Sequence, residues 1–168
     1  MKSFKKYPVE SPDKIDARER DYLYVQESQI PNAGEGLFTS LPIFKNEIIS
    51  LFKGEILSVK EAEIRANNGT NRYFINMLDG TIMDSMKVKC FAKYANDAEG
   101  LVKSEFSNNA TITLDDDNRV CLVATCDIIT GKEIFCSYGR KYWRKQKKSR
   151  ITSCAIRDNL SPTTKFNF

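Results

Sequence analysis

Short runs of alternating apolar and polar residues, separated by turn residues, make up most of the chain. Ala110-Thr111-Ile112-Thr113-Leu114 alternates without a break, Asp115 to Asn118 interrupts it, and Val120 to Thr125 resumes it. A period of two is the mark of a strand with one buried face, so this stretch predicts a long hairpin. Tyr22-Leu23-Tyr24-Val25 reads as a first strand. Leu37-Phe38 starts a second after the turn Pro31-Asn32-Ala33-Gly34, and Glu47 to Phe52 forms a third before Lys53-Gly54 turns the chain. Tyr73 to Leu78 and Thr81 to Met83 flank Asp79-Gly80, a two-residue hairpin signal. Glu133 to Tyr138 alternates charged, apolar, aromatic and small residues, which predicts a half-buried strand ending at Gly139. Helix is sparse. Ser58 with Glu61 three residues on forms a capping box, and the helix it starts should run to about Ala66, where Asn67-Asn68-Gly69 stops it. The sum is a mainly β domain built from small sheets.

Composition narrows the chemistry. At 168 residues the chain suits one domain with its own core. Residues 1–21 carry Pro8, Pro12 and scattered charges with no sustained period, and read as a flexible arm. They lack the apolar stretch of a secretory signal, and no apolar run in the chain approaches the length of a bilayer span, so no membrane role is expected. The 5 cysteines (Cys90, Cys121, Cys126, Cys136, Cys154) are odd in number and none has C-x-x-C spacing, which argues against a disulfide framework and a Cys-only zinc site. No metal ligands are predicted. With 0 histidines, the hydrolases that need an imidazole base are excluded, and proton handling falls to Tyr, Lys, Asp, Glu or water.

The net charge of +4 is local in origin. Residues 140–150 hold seven basic side chains (Arg140, Lys141, Arg144, Lys145, Lys147, Lys148, Arg150) and no acid. Taking these from the 26 basic residues leaves 19 against 22 acidic ones, a body of net −3. Such a patch suits nucleic-acid or nucleosome contact or nuclear targeting, and equally a solvated face. Beyond Trp143, Lys145 to Arg157 has the makings of a short basic helix, with Cys154 on its apolar face; Phe166 and Phe168 are candidates to dock back on the body.

Three segments carry candidate chemistry. In Asn32-Ala33-Gly34-Glu35-Gly36-Leu37-Phe38 the glycines would let backbone approach a ligand, or simply allow a tight hairpin. Ala92-Lys93-Tyr94-Ala95-Asn96-Asp97 lies mid-chain, and Glu133-Ile134-Phe135-Cys136-Ser137-Tyr138-Gly139 leaves a phenol at a strand end. In this order and at these separations the three resemble the signature set of SET-domain protein lysine methyltransferases, over about Tyr22 to Trp143. Gly34 to Phe38 resembles the family's Gly-x-Gly-Leu segment, Tyr94 to Asp97 its Asn-His segment, and Glu133 to Gly139 its Glu-Leu-x-x-Asp-Tyr-Gly segment. The resemblance implies a SET fold of several small sheets, a few short helices and a threaded, knot-like C-terminal segment that joins the motifs. The organisation is then an arm over 1–21, a SET domain over 22–143 and a basic extension over 144–168.

The resemblance also implies the activity: transfer of a methyl group from S-adenosylmethionine to a lysine on a protein, with a histone tail expected and the nucleus, or else the cytoplasm, as location. Tyr138 takes the catalytic role. Ala33, Gly34, Glu35, Gly36 and Leu37 are expected to meet the cofactor, with Asn96 and Asp97 next to it. Trp143 or Tyr142 would stack on its adenine, or serve as an aromatic anchor. Tyr73 and Tyr94 are candidates for the substrate channel, where aromatic faces can hold a methylammonium, or for the core. Cys136, two residues before Tyr138, should share its face. A thiol there leaves a roomy pocket suited to di- or trimethylation, unless Tyr94 or Phe106 fills the gap.

Three features depart from the family pattern. Asp97 stands where histidine is usual, twelve residues (97–108) separate Asn96 from Asn109, and the zinc-binding cysteine cluster that follows the domain is absent. The first two favour an alternative, a SET-like module that recognises lysine-bearing tails without turnover. A third reading, a basic nucleic-acid-binding domain, rests on residues 140–150 alone.

Overall fold

The β runs read from the sequence pair into three small sheets in a computed structural model that describes residues 13–77, 79–100, 104–139 and 142–144. In chain order the elements are β1 (Asp13–Lys14), α1 (Glu19–Tyr22), β2 (Leu23–Glu27), β3 (Glu35–Thr39), β4 (Glu47–Leu51), β5 (Glu55–Leu57), α2 (Val59–Asn67), β6 (Phe74–Asn76) and β7 (Ile82–Asp84). A 3-10 turn (Ala92–Tyr94), β8 (Ala110–Leu114), β9 (Val120–Ala124) and β10 (Glu133–Ile134) follow. The sheets have the orders β1-β4-β9-β8, β10-β3-β2 and β5-β7-β6. This is the mainly β architecture expected, and no helix among the described residues is long and apolar enough to cross a membrane.

Local chemistry accounts for most boundaries. The Ser58 hydroxyl accepts from the Glu61 amide while the Glu61 carboxylate accepts from the Ser58 amide, so α2 starts with a complete capping box. Asp115 closes the β8–β9 hairpin. Its carboxylate accepts from the Asp117 and Arg119 amides and from the Arg119 guanidinium, whose pairing holds the Asp115 carboxyl below its usual range. The Asp79-Gly80 hairpin forms with a wider turn than the two residues expected. Met77 N–H donates to the Thr81 carbonyl at 2.9 Å, and this bond closes the turn.

Two expectations are corrected. The N-terminal arm was expected to reach residue 21, but structure begins by Asp13. β1 lies parallel to β4, and the Glu19 carboxylate accepts from Ser50 Oγ (3.0 Å), the Leu51 amide (2.9 Å) and Lys53 Nζ (3.2 Å). These contacts tie the segment to β4 and to the turn that follows it. The second correction concerns the strand expected over Glu133 to Tyr138. It pairs antiparallel with β3 only at Glu133 and Ile134. Phe135 and Cys136 then form parallel bridges with Asn96 and Ala110. Half-burial was expected, yet all four residues from Glu133 to Cys136 are buried, because chain covers both sides. The Cys136 amide donates to the Asn96 carbonyl at 2.8 Å, and the Asn109 and Ala110 amides donate to the Phe135 carbonyl at 3.1 and 2.9 Å. The segment thus threads between 95–97 and 108–110.

The main core lies beneath this thread. Leu37, Ile49, Leu122 and Ile134 are fully buried in one cluster, against which Tyr94 and Tyr138 pack. β9 is buried along its whole length, since Val120, Leu122 and Ala124 face that cluster while Cys121 and Val123 meet Ile48 on the other side. Ile30, Ala98 and Phe135 form a smaller cluster with Ala33 and Phe106.

The thread depends on one amide side chain. Asn109 Nδ2 donates to the Glu133 carbonyl and Asn109 Oδ1 accepts from the Phe135 amide, both at 2.9 Å. Asn109→Ala leaves both backbone groups without these partners, and stability in urea should fall by about 2–3 kcal/mol. Asn109→Asp retains the acceptor but turns a second oxygen toward the Glu133 carbonyl, and should lose at least as much. Equal midpoints for wild type and Asn109→Ala would show that the thread does not rely on this side chain.

Candidate active site

The three motif segments meet on the Glu133 side chain, which is 1% exposed. Glu133 Oε1 accepts from Ser28 Oγ at 2.6 Å and from Asn96 Nδ2 at 3.4 Å, and Oε2 accepts from the Gln29 amide at 2.7 Å. Asn96 Nδ2 also donates to the Glu35 carbonyl at 3.0 Å. One buried carboxyl group and one amide therefore join the glycine-bearing loop, the middle segment and the thread. The Asn96 amide expected at a cofactor is engaged within the protein.

This arrangement changes the reading of two residues in the glycine loop. Gly36 was expected to admit a ligand. The Cβ that it lacks would instead collide with Glu133 Oε1 and come within 3.2 Å of the Phe38 ring, so the glycine makes room for the buried carboxyl group. Leu37 is a core residue with 0% exposure on the central strand of its sheet, paired with Val25 on one side and Ile134 on the other, and has no edge left for a ligand. Ala33, Gly34 and Glu35 differ. Gly34 and Glu35 are exposed, Ala33 is half-buried, and Gly34 has a φ of 81°, which favours glycine.

Tyr138 sits where the thread emerges. Its hydroxyl donates to the Ala95 carbonyl at 2.9 Å, and Cys136 Sγ reaches the same oxygen at 3.7 Å. The two side chains thus share a face, as expected from their spacing. Burial, with smaller effects from neighbours such as Cys136, raises the Tyr138 phenol far above its ordinary pKa, so it remains protonated. Burial likewise pushes the Cys136 thiol up to about 12, with the Asp97 charge adding to it. Cys136 is 1% exposed and faces the core. Phe106 stacks on Phe135 at 5.3 Å, and Phe135 belongs to the smaller cluster, so Phe106 packs apart from the main-cluster side where Cys136 lies.

Asp97 replaces the expected histidine with four acceptor contacts. Oδ1 accepts from the Glu99 amide (3.0 Å) and Asn108 Nδ2 (2.9 Å); Oδ2 accepts from the Tyr138 amide (2.8 Å) and Trp143 Nε1 (2.7 Å). The Trp143 ring stacks on Tyr138, with centroids 5.9 Å apart and planes at 14°, and Tyr142 meets both rings edge-on. A Cβ on Gly100 would come within 2.5 Å of the Trp143 ring, so that glycine admits the indole. These are the contacts of an aromatic anchor, one of the two roles open to Trp143 in the sequence.

Tyr73 and Tyr94 come together edge-on at 6.4 Å, and they already share an ammonium. Lys93 Nζ lies 5.3 Å from each ring centre and donates to the carbonyls of Ser85, Met86 and Val88. The aromatic faces expected for a substrate amine thus hold the protein's own lysine. Arg72, which the sequence did not single out, is exposed, lies over Tyr73, and brings Nη2 to 3.6 Å from the missing Cβ of Gly34. It has no carboxylate partner among the described residues. Nothing in its local sequence marks it, since its position depends on the fold. Ser28, Gly100 and Asn108 went unmarked for the same reason.

Of the basic cluster, Arg144 is described and exposed; Arg140, Lys141, Lys145, Lys147, Lys148 and Arg150 lie outside the described residues, as do Cys154, Phe166 and Phe168. Cys90, Cys121 and Cys136 are buried free thiols and Cys126 is an exposed one. No group of three or more Cys, Asp or Glu that could hold a metal ion occurs among the described residues. A family model described as the SET domain matches residues 34–139. No curated protein matches the chain.

The packing at Gly36 is open to test. Gly36→Ala should lower stability by about 1–3 kcal/mol by forcing its methyl into the Glu133 carboxyl group. The loss should shrink when Glu133→Ala removes the obstacle, so a thermal-denaturation double-mutant cycle should show strong coupling. Independent effects would return Gly36 to a ligand-facing role.

Proposed function

The chain belongs to the SET-domain family, and from that premise we propose that it transfers a methyl group from S-adenosylmethionine to a lysine side chain on another protein. The observation that carries this reading is the Tyr138 phenol: kept protonated by burial, fixed through its hydroxyl to Ala95 and through its own amide to Asp97, at the junction of the motif segments.

The residues present suit the cofactor's amino-acid end. The Arg72 guanidinium and the Gly34 amide, which has no acceptor among the described residues, lie close together and would meet a carboxylate with two donors. Ala33, Glu35 and the Asn96–Asp97 backbone would complete that wall. When bound, S-adenosylmethionine supplies the electrophilic methyl on a sulfonium centre.

The chain's own part is to orient a neutral amine. A lysine amine has a pKa near ~10.4 in water, and burial against Tyr138 disfavours the charged form. Tyr138 donates its O–H to the Ala95 carbonyl as a hydrogen bond, so its oxygen lone pairs remain to accept an N–H from the incoming amine and set the direction of the nitrogen lone pair. A protonated phenol cannot serve as the base, so the ammonium proton leaves before the amine is seated. The small thiol two residues before Tyr138 is the ground for proposing more than one methyl group, although Cys136 itself packs in the core.

A histone tail is the substrate proposed, with the basic residues of 140–150 contacting nucleosomal DNA in the nucleus. The support for this is the concentration of seven basic residues beside a body of net −3. The alternative, a module that reads lysine-bearing tails without turnover, predicts no transfer at all.

Labelled S-adenosylmethionine with mixed histones and cell lysate tests the reading. Transfer should be present with wild type and fall by about 100-fold or more with Tyr138→Phe, while cofactor binding persists. Mass spectrometry of a methylated peptide should show di- or trimethyl product. No transfer to any protein, with lysine peptides bound nonetheless, would favour the alternative.

Arg72→Met should weaken S-adenosylmethionine binding roughly 10- to 100-fold in calorimetry, the worth of a lost charge-assisted hydrogen bond. An unchanged affinity would remove Arg72 from the cofactor site.

A further inference from the structure

Asp97 marks the chain's departure from the pattern it otherwise resembles, and its surroundings explain what an acid does there. A carboxylate has about four acceptor sites and no proton to donate. All four contacts of Asp97 are donors, and they come in two pairs. Glu99 and Asn108 belong to the 97–108 insert; Tyr138 and Trp143 belong to the segment that leaves the thread. Asp97 is 9% exposed, so water does little to substitute for a missing partner.

We propose that Asp97 is a positioning residue that clasps the insert to the end of the thread and thereby fixes the Tyr138 phenol. The inference rests on the reading of Tyr138 as the catalytic phenol. Oδ2 holds the Tyr138 amide at 2.8 Å and the Trp143 indole N–H at 2.7 Å, so the backbone of Tyr138 and the ring stacked on it are set by one atom. Gly100, on the insert, leaves the space that the indole occupies. The insert and the acid form one device: the insert supplies Glu99 N–H, Asn108 and Gly100, and the acid joins them to Tyr138. An imidazole at position 97 has at most one acceptor nitrogen and cannot meet four donors. An asparagine would turn a donor amide toward two of them.

Trp143 is the single tryptophan in the chain, so its emission reports on the clasp without reference to activity. The full chain is compared with Asp97→Asn, Asp97→His and Trp143→Phe. In Asp97→Asn, Trp143 emission should shift to the red and acrylamide quenching should rise. In the same variant kcat should fall roughly 10- to 100-fold, and KM for S-adenosylmethionine should change less than about threefold, as for loss of an interaction that serves the transition state. Asp97→His should be no better than Asp97→Asn. Trp143→Phe, which keeps a ring on Tyr138 but deletes the N–H, should lower kcat severalfold with its far-ultraviolet circular dichroism unchanged. This variant keeps the idea testable if the Asp97 variants fail to fold.

Unchanged emission and quenching in Asp97→Asn would overturn the clasp. Altered emission with unchanged kcat, or full activity in Asp97→His, would overturn the positioning role. A wild-type protein with no transfer at all would overturn the methyltransferase reading itself and with it the link to catalysis. The fluorescence comparison would then decide the clasp separately.

Discussion

The fold depends on satisfying one buried carboxyl group. Glu133 lies where the thread begins and is almost wholly removed from water. A polar group so placed is costly unless donors meet it. The donors come from the neighbours Ser28 and Gln29 and from Asn96, two stretches that no local interaction would bring to Glu133. Meeting that requirement places the thread against β3 and positions the middle segment beside the glycine loop. Gly36 follows from the same constraint, because its lack of a Cβ is what leaves Glu133 room.

Asp97 plays the matching part at the other end of the thread. Between the two acids lie Ile134 to Tyr138, whose backbone bonds alternately to Asn96, Asn109 and Ala110. A segment held at both ends and along its length has little freedom to move its last side chain. Burial then keeps that side chain a phenol and keeps Cys136 a thiol. The chemistry open to such a site is orientation by a neutral hydrogen-bonding group, which suits methyl transfer to an amine better than acid–base hydrolysis.

Much of the fold was legible before the structure. The β8–β9 hairpin follows from the alternation of Ala110 to Leu114 and the turn at Asp115 to Asn118. α2 follows from Ser58 and Glu61, because capping is decided within four residues. The Tyr138 and Cys136 side chains share a face because strand geometry repeats every two residues. Partners remote in sequence were less legible. The strand expected over Glu133 to Tyr138 is only two residues long by pairing, since it exchanges β3 for Asn96 and Ala110. For Tyr73 and Tyr94 the sequence leaves open the substrate channel or the core, and only the fold shows Lys93 between the two rings.

The sequence by itself determined where β2 to β4, β6 to β9 and the capped helix lie, that no imidazole takes part, and which three segments resemble the family's motifs. Those properties reside in composition, in periodicity and in interactions across a few residues. Tertiary structure alone decided what each motif residue touches. It turned Gly36 and Leu37 toward the core, gave Asp97 its four donors, and brought Arg72 beside Gly34. The reason is physical. A hydrogen bond or an ion pair acts over about 3 Å, whereas Ser28 and Glu133 stand 105 residues apart along the chain, and only the folded path closes that distance.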